Sequence, residues 1–274
     1  MDFKDIISRT RKYNFHSHTQ FCDGRAPMDE MAAAAVKCGM LHYGFTPHSP
    51  TDVESPCNMS HDNVDRYFEE VDRLRRTPAL SACTFYRGME IDYIGPDCGP
   101  ASPYYRGLGL DYCIGSVHFI PSQSGEPVDI DGHFDAFKRK MRDFFRGDID
   151  YVVDTYFAQS RAMIEAGGFD ILGHFDKVGQ NASYFAPGIE GGSHYISCVN
   201  TLVDMITDRG LTIELNTKAR VEHGRFFPSD NLLPRLAKAG VTILVNSDAH
   251  RPDRIESSRD EAFAILDRLG YATA

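Results

Sequence analysis

The chain has 274 residues, of which 42% are hydrophobic, and its formal net charge is −10 with a sequence pI near 5.5. This length and hydrophobic content suit one large core, such as that of a single α/β barrel. The acidic balance argues against a protein that grips nucleic-acid phosphates.

Cysteine usage and the amino-terminal segment bound the cellular context. The chain has seven cysteines, an odd number, and no CxxC pair, which argues against a disulfide framework or a zinc ribbon. The first twelve residues lack an apolar signal region, and there is no apolar run of about 18 residues. We therefore expect a cytoplasmic protein with no membrane partner; the sequence gives no indication of oligomeric state.

Strand and helix patterns alternate along the whole chain. Seven strands are predicted, over residues 13–15, 43–46, 84–91, 112–117, 169–172, 211–215 and 241–245. Helices are predicted over residues 28–38, 61–76, 134–145, 151–166, 195–208 and 258–269, with a short helix between Asp230 and Ala239. Strands that alternate with helices imply a parallel sheet. Because the sequence shows no linker, residues 1–274 are predicted to form one domain.

Side chains that can bind a metal follow the predicted strands. His16 and His18 come directly after the first strand, and residues two apart on a strand point to one side. Taken alone, the pair is equally compatible with a metal site and with chance histidines, one of them hydrogen bonded within the core. However, six of the seven predicted strands carry a histidine or a carboxylate at or just after their carboxyl end. In a closed α/β barrel these ends share the face where active sites lie.

The candidate metal ligands are six histidines and three carboxylates: His16, His18, Asp23, His48, Glu90, His118, His174, Asp248 and His250. Nine ligands can hold two or three ions if a carboxylate bridges, and this mixture suits zinc, manganese or iron better than calcium. Each residue also has an ordinary structural alternative: His174 as a loop histidine, Glu90 in an ion pair, Asp248 as a helix cap. The five other histidines are interpreted as structural or surface residues: His42, His61, His133, His194 and His223.

The motifs around these residues resemble those of the PHP (polymerase and histidinol phosphatase) superfamily. They are His16-Ser-His18 with Asp23-Gly24, Gly44-Phe-Thr-Pro-His48, Gly88-Met-Glu90, Ile114-Gly-Ser-Val-His118, Leu172-Gly-His174 and Ser247-Asp-Ala-His250. The segments Asp111-Tyr-Cys-Ile-Gly-Ser-Val-His118 and Glu214-Leu-Asn-Thr217 resemble the histidinol-phosphatase branch. Two departures are Pro47, where the family often has aspartate, and the stretch after His174, which lacks an arginine that some members have there.

The resemblance implies a distorted (β/α)7 barrel, TIM-like, with its active site at the carboxyl ends of the strands and three divalent transition-metal ions. By the same resemblance, His16, His18, Glu90 and Asp248 would hold one ion. Glu90 would bridge to a second ion held by His118 and His174. Asp23, His48 and His250 would hold the third.

The predicted activity is metal-dependent hydrolysis of a small phosphomonoester, with L-histidinol phosphate favoured and histidine biosynthesis as its setting. A hydroxide shared by two ions would attack phosphorus, with Glu90, Asp248 and Arg220 as the catalytic residues. Either water or an acid such as Asp248 would protonate the leaving group. Three alternatives stay open: a PHP nuclease, another phosphoester, and a non-catalytic metal-binding scaffold.

Cations near the predicted active face are candidates for binding the phosphate. Arg220 follows the sixth strand, and its planar guanidinium matches two phosphoryl oxygens at once. The family also places an arginine shortly after its Glu-Leu-Asn-Thr motif. Lys177, after His174, and Arg161, on the preceding helix, are the other candidates.

Overall fold

The computed structural model describes residues 1–273. Within that range the strands are β1 (Tyr13–Asn14), β2 (His42–Phe45), β3 (Thr84–Arg87), β4 (Glu90–Asp92), β5 (Ile114–Ser116), β6 (Phe119–Pro121), β7 (Pro127–Asp129), β8 (Ile171–Leu172), β9 (Thr212–Asn216) and β10 (Thr242–Asn246). The helices are α1 (Phe3–Arg9), α2 (Met28–Lys37), α3 (Val64–Arg75), α4 (Pro103–Arg106), α5 (Phe134–Phe144), α6 (Ile149–Ala166), α7 (Val178–Phe185), α8 (Ser193–Arg209), α9 (Arg220–His223), α10 (Leu233–Lys238) and α11 (Arg259–Arg268).

The strands form two parallel sheets that follow one another around a ring. One sheet has the order β1-β2-β3 and the other the order β10-β9-β8-β5-β4. The single predicted strand over residues 84–91 is in fact two, β3 and β4, separated at Gly88–Met89. At this break the hydroxyl of Tyr67 lies 2.6 Å from the Gly88 carbonyl and 2.9 Å from the Phe45 carbonyl, so its one proton is shared between them. Counting β3 and β4 together, the ring has the seven strand positions that the sequence predicts.

Backbone bridges join the two sheets at the carboxyl ends of the strands. Ser17 bridges to Ala249, which connects the chain after β1 to the chain after β10, and His48 bridges to Glu90. Nearer the middle of the β1–β10 seam, side chains replace the ladder: the Asn246 Oδ1 accepts from the backbone N–H of Phe15. The ring is thus closed unevenly, and the predicted distorted, TIM-like α/β barrel is confirmed.

Apolar side chains fill the barrel and the layer between the strands and the helices. β10 is buried at every position, as expected of a parallel strand that is covered on both faces. The long helices lie outside the strands; α6 and α8, for example, bury Phe157 and Tyr195, whose rings pack edge to face. Among residues 1–273 no helix is both long and apolar enough to cross a membrane.

Several elements were not predicted from the sequence. Helix α1 packs its Phe3 ring edge-on against Phe15 and Tyr112, at the end of the barrel opposite the metal-binding side chains. The antiparallel hairpin β6–β7 is inserted directly after His118. Helix α4 lies between β4 and β5, and α7 follows β8. The hairpin and α7 matter most for function because both reach the active face.

Candidate metal centre

The ring of strand ends brings all nine predicted ligands together. Their carriers are the segments that follow β1, β2, β5, β8 and β10, together with the first residue of β4. His16, His18, Glu90, His174 and Asp248 are almost completely buried, whereas Asp23 is 28% exposed and lies at the rim. The nine side chains therefore form one deep cluster with a single side open to water.

Glu90 stands at the centre of this cluster, and one of its oxygens faces three histidines. The Oε2 atom lies 3.2 Å from His16 Nε2, 3.4 Å from His18 Nε2 and 3.1 Å from His48 Nδ1. Although buried, this oxygen has no hydrogen-bond partner in the described part of the chain. An anionic oxygen surrounded by ring nitrogens is a position that a shared cation would fill.

The other oxygen of Glu90 faces a second pair of histidines. The Oε1 atom lies 2.8 Å from His174 Nε2 and 3.6 Å from His118 Nε2. It also accepts a hydrogen bond from the Ser116 hydroxyl. The two oxygens of one carboxylate thus serve two separate groups of imidazoles, which is the geometry of a bridging ligand.

Two further carboxylates complete the cluster on the side away from His174. The Asp248 Oδ1 lies 3.2 Å from His18 Nε2 and 3.4 Å from His250 Nδ1. Asp23 places Oδ2 3.2 Å from His250 Nε2 and Oδ1 3.7 Å from His48 Nε2. Within the described chain, Asp23 Oδ1 and His48 Nδ1 also lack hydrogen-bond partners.

The residues fit divalent cations. Three overlapping groups place their ligand atoms within 4.8 Å of one another: His18, Asp23, His48 and His250; His16, His18 and Asp248; and His48, Glu90 and His118. Imidazole nitrogens and carboxylate oxygens without thiolate match the expected preference for zinc, manganese or iron. Cys22 lies beside this set, with its Sγ 3.3 Å from His18 Nδ1.

Electrostatics keep the carboxylates of the cluster ionised. Burial alone would raise the pKa of Glu90, but His16, His48 and His118 outweigh it and hold that pKa well below its usual range. For His118 the directions are opposite: burial lowers its pKa, but the negative charges of Asp92 and Glu90 outweigh burial and raise the pKa to about 9. The same charges that act on protons here would act on a metal cation.

Two buried acids that were not predicted as site residues orient the ligand histidines. Glu214 accepts from His16 Nδ1 at 2.8 Å and from the backbone N–H of His174 at 3.0 Å. Asp92 accepts from both His118 Nδ1 and the His118 backbone N–H, at 2.8 and 3.0 Å. Such partners fix the ring orientation of a metal-binding histidine. The strand period would have pointed to Asp92, two residues beyond Glu90 on the same face.

Two lysines interact electrostatically with Asp248, and the sequence predicted one of them, Lys177. Lys218, which was not predicted, places its Nζ 3.3 Å from Asp248 Oδ1 and 3.2 Å from His250 Nε2. Lys177 is nearly buried and its Nζ pairs with Asp131 Oδ2 at 2.7 Å. Burial opposes the charge of Lys177, but Asp131, Asp248 and Glu90 outweigh it and raise its pKa. Both ammonium groups thus lie in the electrostatic field of the centre.

The two predicted arginines are engaged elsewhere. The Arg220 guanidinium pairs with Glu261 of α11, donates to the Gly224 carbonyl at 2.6 Å and lies 4.8 Å from the centre of the Phe226 ring. Arg161 of α6 is close enough to Cys198 of α8 for its charge to act on that thiol. The structure does not bring either guanidinium to the nine ligands, so a phosphate-binding role for Arg220 or Arg161 stays a proposal.

A parallel α/β barrel with a cluster of histidines and carboxylates on its carboxyl face defines a metal-dependent class of enzymes. The chain belongs to one family of that class, the PHP domain family, whose model matches residues 14–218. This match contains every predicted ligand except Asp248 and His250, and the resemblance noted in the motifs is confirmed.

Three proteins of known name are similar to this chain. A Deinococcus radiodurans protein named probable histidinol-phosphatase is 24% identical over 247 residues, which cover 88% of this chain and 86% of that protein. A Listeria monocytogenes structure provisionally named a histidinol phosphatase superposes with a TM-score of 0.79 at 17% identity, over 91% of this chain and 99% of that one. A Lactococcus lactis histidinol phosphate phosphatase, solved with zinc, L-histidinol and phosphate, gives a TM-score of 0.70 at 17% identity, over 95% and 94% of the chains.

Proposed function

We propose that this protein is a metal-dependent phosphatase that hydrolyses L-histidinol phosphate to L-histidinol and phosphate. The observation that carries the proposal is the central position of Glu90, whose two oxygens face two groups of imidazoles. The PHP family match and the names of its relatives support a phosphatase of this class. The bound L-histidinol and phosphate of the Lactococcus lactis relative favour the particular substrate.

The proposed centre holds three divalent ions. His16, His18, Glu90 and Asp248 would bind one of them. His118 and His174 would bind the second together with Glu90, and Asp23, His48 and His250 would bind the third. Such ions, when bound, lower the pKa of a coordinated water and neutralise negative charge on a phosphoryl group.

The protein's own groups would prepare the centre for an anionic ester. Glu214 and Asp92 hold His16, His174 and His118 in fixed orientations, so that their ring nitrogens face the centre. Lys218 is 40% exposed at the rim, where its ammonium can reach the phosphoryl oxygens of an incoming substrate. Charge-assisted hydrogen bonds of this kind strengthen as charge builds up in the transition state.

A substrate panel on metal-replete protein tests the proposal. Phosphate release from L-histidinol phosphate should be much faster than from a dinucleotide or single-stranded DNA. Comparable activity on DNA would favour a nuclease, and faster turnover of another small ester would replace the substrate while keeping the chemistry. No turnover of any phosphoester would favour a scaffold that binds metal without catalysis.

Metal analysis tests the bridging role of Glu90. Purified wild-type protein should contain two to three transition-metal ions per chain. Glu90→Gln should lose at least two of them, because the neutral amide replaces the one side chain that serves both histidine groups. Glu126→Gln, an exposed residue in the β6–β7 turn, is the matched control and should keep its metal. An unchanged metal content in Glu90→Gln would contradict the bridging arrangement.

A further inference from the structure

A second cluster of potential metal ligands lies on the outer helix layer, apart from the nine residues of the barrel. It consists of Asp154 on α6 and of His194 and Cys198 on α8. The His194 Nε2 lies 2.9 Å from Asp154 Oδ1, and the Cys198 Sγ lies 3.5 Å from the same oxygen. We propose that these three side chains form a separate site for a borderline divalent cation such as zinc.

Helix geometry brings the three donor atoms together. His194 and Cys198 are four residues apart, so they lie one above the other on the same face of α8. Their neighbours Tyr195 and Val199 are buried in the core, and Tyr195 packs edge to face against Phe157 of α6 at 5.5 Å. This packing fixes α6 against α8 and holds Asp154 opposite the pair. The arrangement therefore depends on the rigid core and not on a mobile loop.

The distances are close to those of a tetrahedral zinc site. Zinc bonds of about 2.0 Å to nitrogen or oxygen and about 2.3 Å to sulfur require separations of roughly 3.3 Å between N and O and roughly 3.5 Å between S and O. The sulfur–oxygen separation of 3.5 Å already meets this, and the nitrogen–oxygen separation of 2.9 Å must open by roughly 0.4 Å. Because His194 and Asp154 have side chains that are 52% and 55% exposed, a small rotation suffices.

Opposing influences act on the Cys198 thiol in this cluster. Burial and the contact with Asp154 raise the pKa of the Cys198 thiol, so the free group carries a proton that a metal must displace. Arg161, about two helical turns beyond Asp154 on α6, lowers the pKa of the Cys198 thiol and so favours the thiolate. The exposure of the site leaves the fourth position of a tetrahedron to water. A soft sulfur ligand separates this site from the barrel centre, whose nine proposed ligands are all nitrogen or oxygen donors.

The ordinary alternative is a surface hydrogen bond between His194 and Asp154, with Cys198 as a bystander. Cobalt(II) distinguishes the two, because a cobalt–thiolate bond gives an intense near-ultraviolet charge-transfer band that nitrogen and oxygen ligands do not give. Cobalt added to the whole protein after the barrel centre is filled should produce this band, with one further ion bound per chain. Binding should tighten as the pH rises, because the thiol must lose its proton.

Three variants decide the outcome. Cys198→Ser should abolish the band and lower the bound metal by one ion per chain, with phosphate release unchanged. Asp154→Asn should retain the thiol but weaken cobalt binding at least tenfold. Cys22→Ser is the matched control, since Cys22 is the cysteine beside the barrel ligands, and it should keep the band. No band in the wild type, a band that survives in Cys198→Ser, or a band lost only in Cys22→Ser would overturn the proposal.

Discussion

At the scale of single residues, Arg220 has two competing descriptions that one pair of variants can separate. In the structure it pairs with Glu261, whereas the sequence predicts that it binds the phosphate of the substrate. If it binds phosphate, Arg220→Ala loses a charge-assisted pair worth about 1.5–3 kcal/mol, which lowers kcat/KM by roughly one to two decades. Metal content should not change, because the substitution removes none of the nine predicted ligand side chains. Steady-state kinetics on L-histidinol phosphate measure the effect.

Glu261→Gln is the control for this prediction. It removes the same ion pair from the other side, but it leaves the arginine free to reach the substrate. If Arg220 only connects α9 to α11, Arg220→Ala and Glu261→Gln should both keep the wild-type kcat/KM. Each should then lower the free energy of unfolding by a similar amount, about 0–1 kcal/mol. That result would leave phosphate binding to Lys218, as already proposed, or to Lys177, both of which interact electrostatically with Asp248. Arg220→Lys should recover part of the loss only if phosphate binding is the role.

The same residue shows what sequence could and could not reveal about the site. The convergence of the nine predicted ligands could be predicted because most of them follow the carboxyl end of a strand, where the barrel topology brings positions from residue 16 to residue 250 together. Arg220 also follows a strand, but the direction of its side chain depends on Glu261, 41 residues further along the chain. Lys218 was overlooked beside it, although it precedes Arg220 by only two positions. Tertiary contacts decide whether Lys218 or Arg220 points toward the centre, and the local sequence pattern does not predict those contacts.

At the scale of elements, the long helices with apolar patterns were predicted to within about three residues at each end. The prediction over residues 28–38 corresponds to Met28–Lys37, and that over 134–145 to Phe134–Phe144. Helix α1 was not predicted because its seven residues contain only three buried apolar side chains. One of them, Phe3, packs against the rings of Phe15 and Tyr112, a contact that the local sequence does not indicate. The hairpin β6–β7 was overlooked because each strand has three residues, too few to show a period.

Strand β2 contains a glycine whose missing side chain makes room for a buried tyrosine. A Cβ atom on Gly44 would collide with the hydroxyl of Tyr112, which donates to the carbonyl of Phe15 at 2.6 Å. Gly44→Ala should therefore overpack the barrel and lower the free energy of unfolding by about 1–3 kcal/mol, as measured by urea denaturation. Because Phe15 precedes the ligand His16, metal affinity should fall as well.

Gly95→Ala provides the comparison for that variant. A Cβ atom at Gly95 meets nothing within 4 Å, and its backbone does not have a positive φ, so stability should stay within about 0.5 kcal/mol of the wild type. Equal losses in the two variants would show that the space around Tyr112 adapts more readily than a close-packed barrel interior should.

At the scale of the whole molecule, the metal centre and the closure of the barrel depend on the same strand ends. Removal of metal by a chelator should leave ionised carboxylates buried among histidines, and this favours opening. An ion present at 100 times its dissociation constant contributes about 2.7 kcal/mol. For a chain of this size, loss of one such ion should lower Tm by roughly 5–10 °C.

Calorimetry before and after chelation measures this shift, and hydrogen exchange shows where the molecule opens. Exchange should increase first along the β1–β10 seam, where Ser17 and Ala249 form an isolated bridge in place of a continuous ladder. The Glu90→Gln variant, already depleted of metal, should respond much less to the same chelator. An unchanged wild-type Tm would mean that the cluster contributes nothing to holding the barrel closed.

The seam also sets the order in which the centre is assembled during synthesis. Asn14 and Ser247, which hydrogen bond across it, are separated by 233 positions, so the seam partners of His16 and His18 leave the ribosome long after those two histidines. Until then the emerging chain presents only part of its ligand set, without the geometry that the closed ring imposes. Partial sets of imidazoles and carboxylates bind whichever divalent metal is intrinsically strongest and most available. We therefore expect the proposed centre to select its metal fully only after β10 has joined the ring.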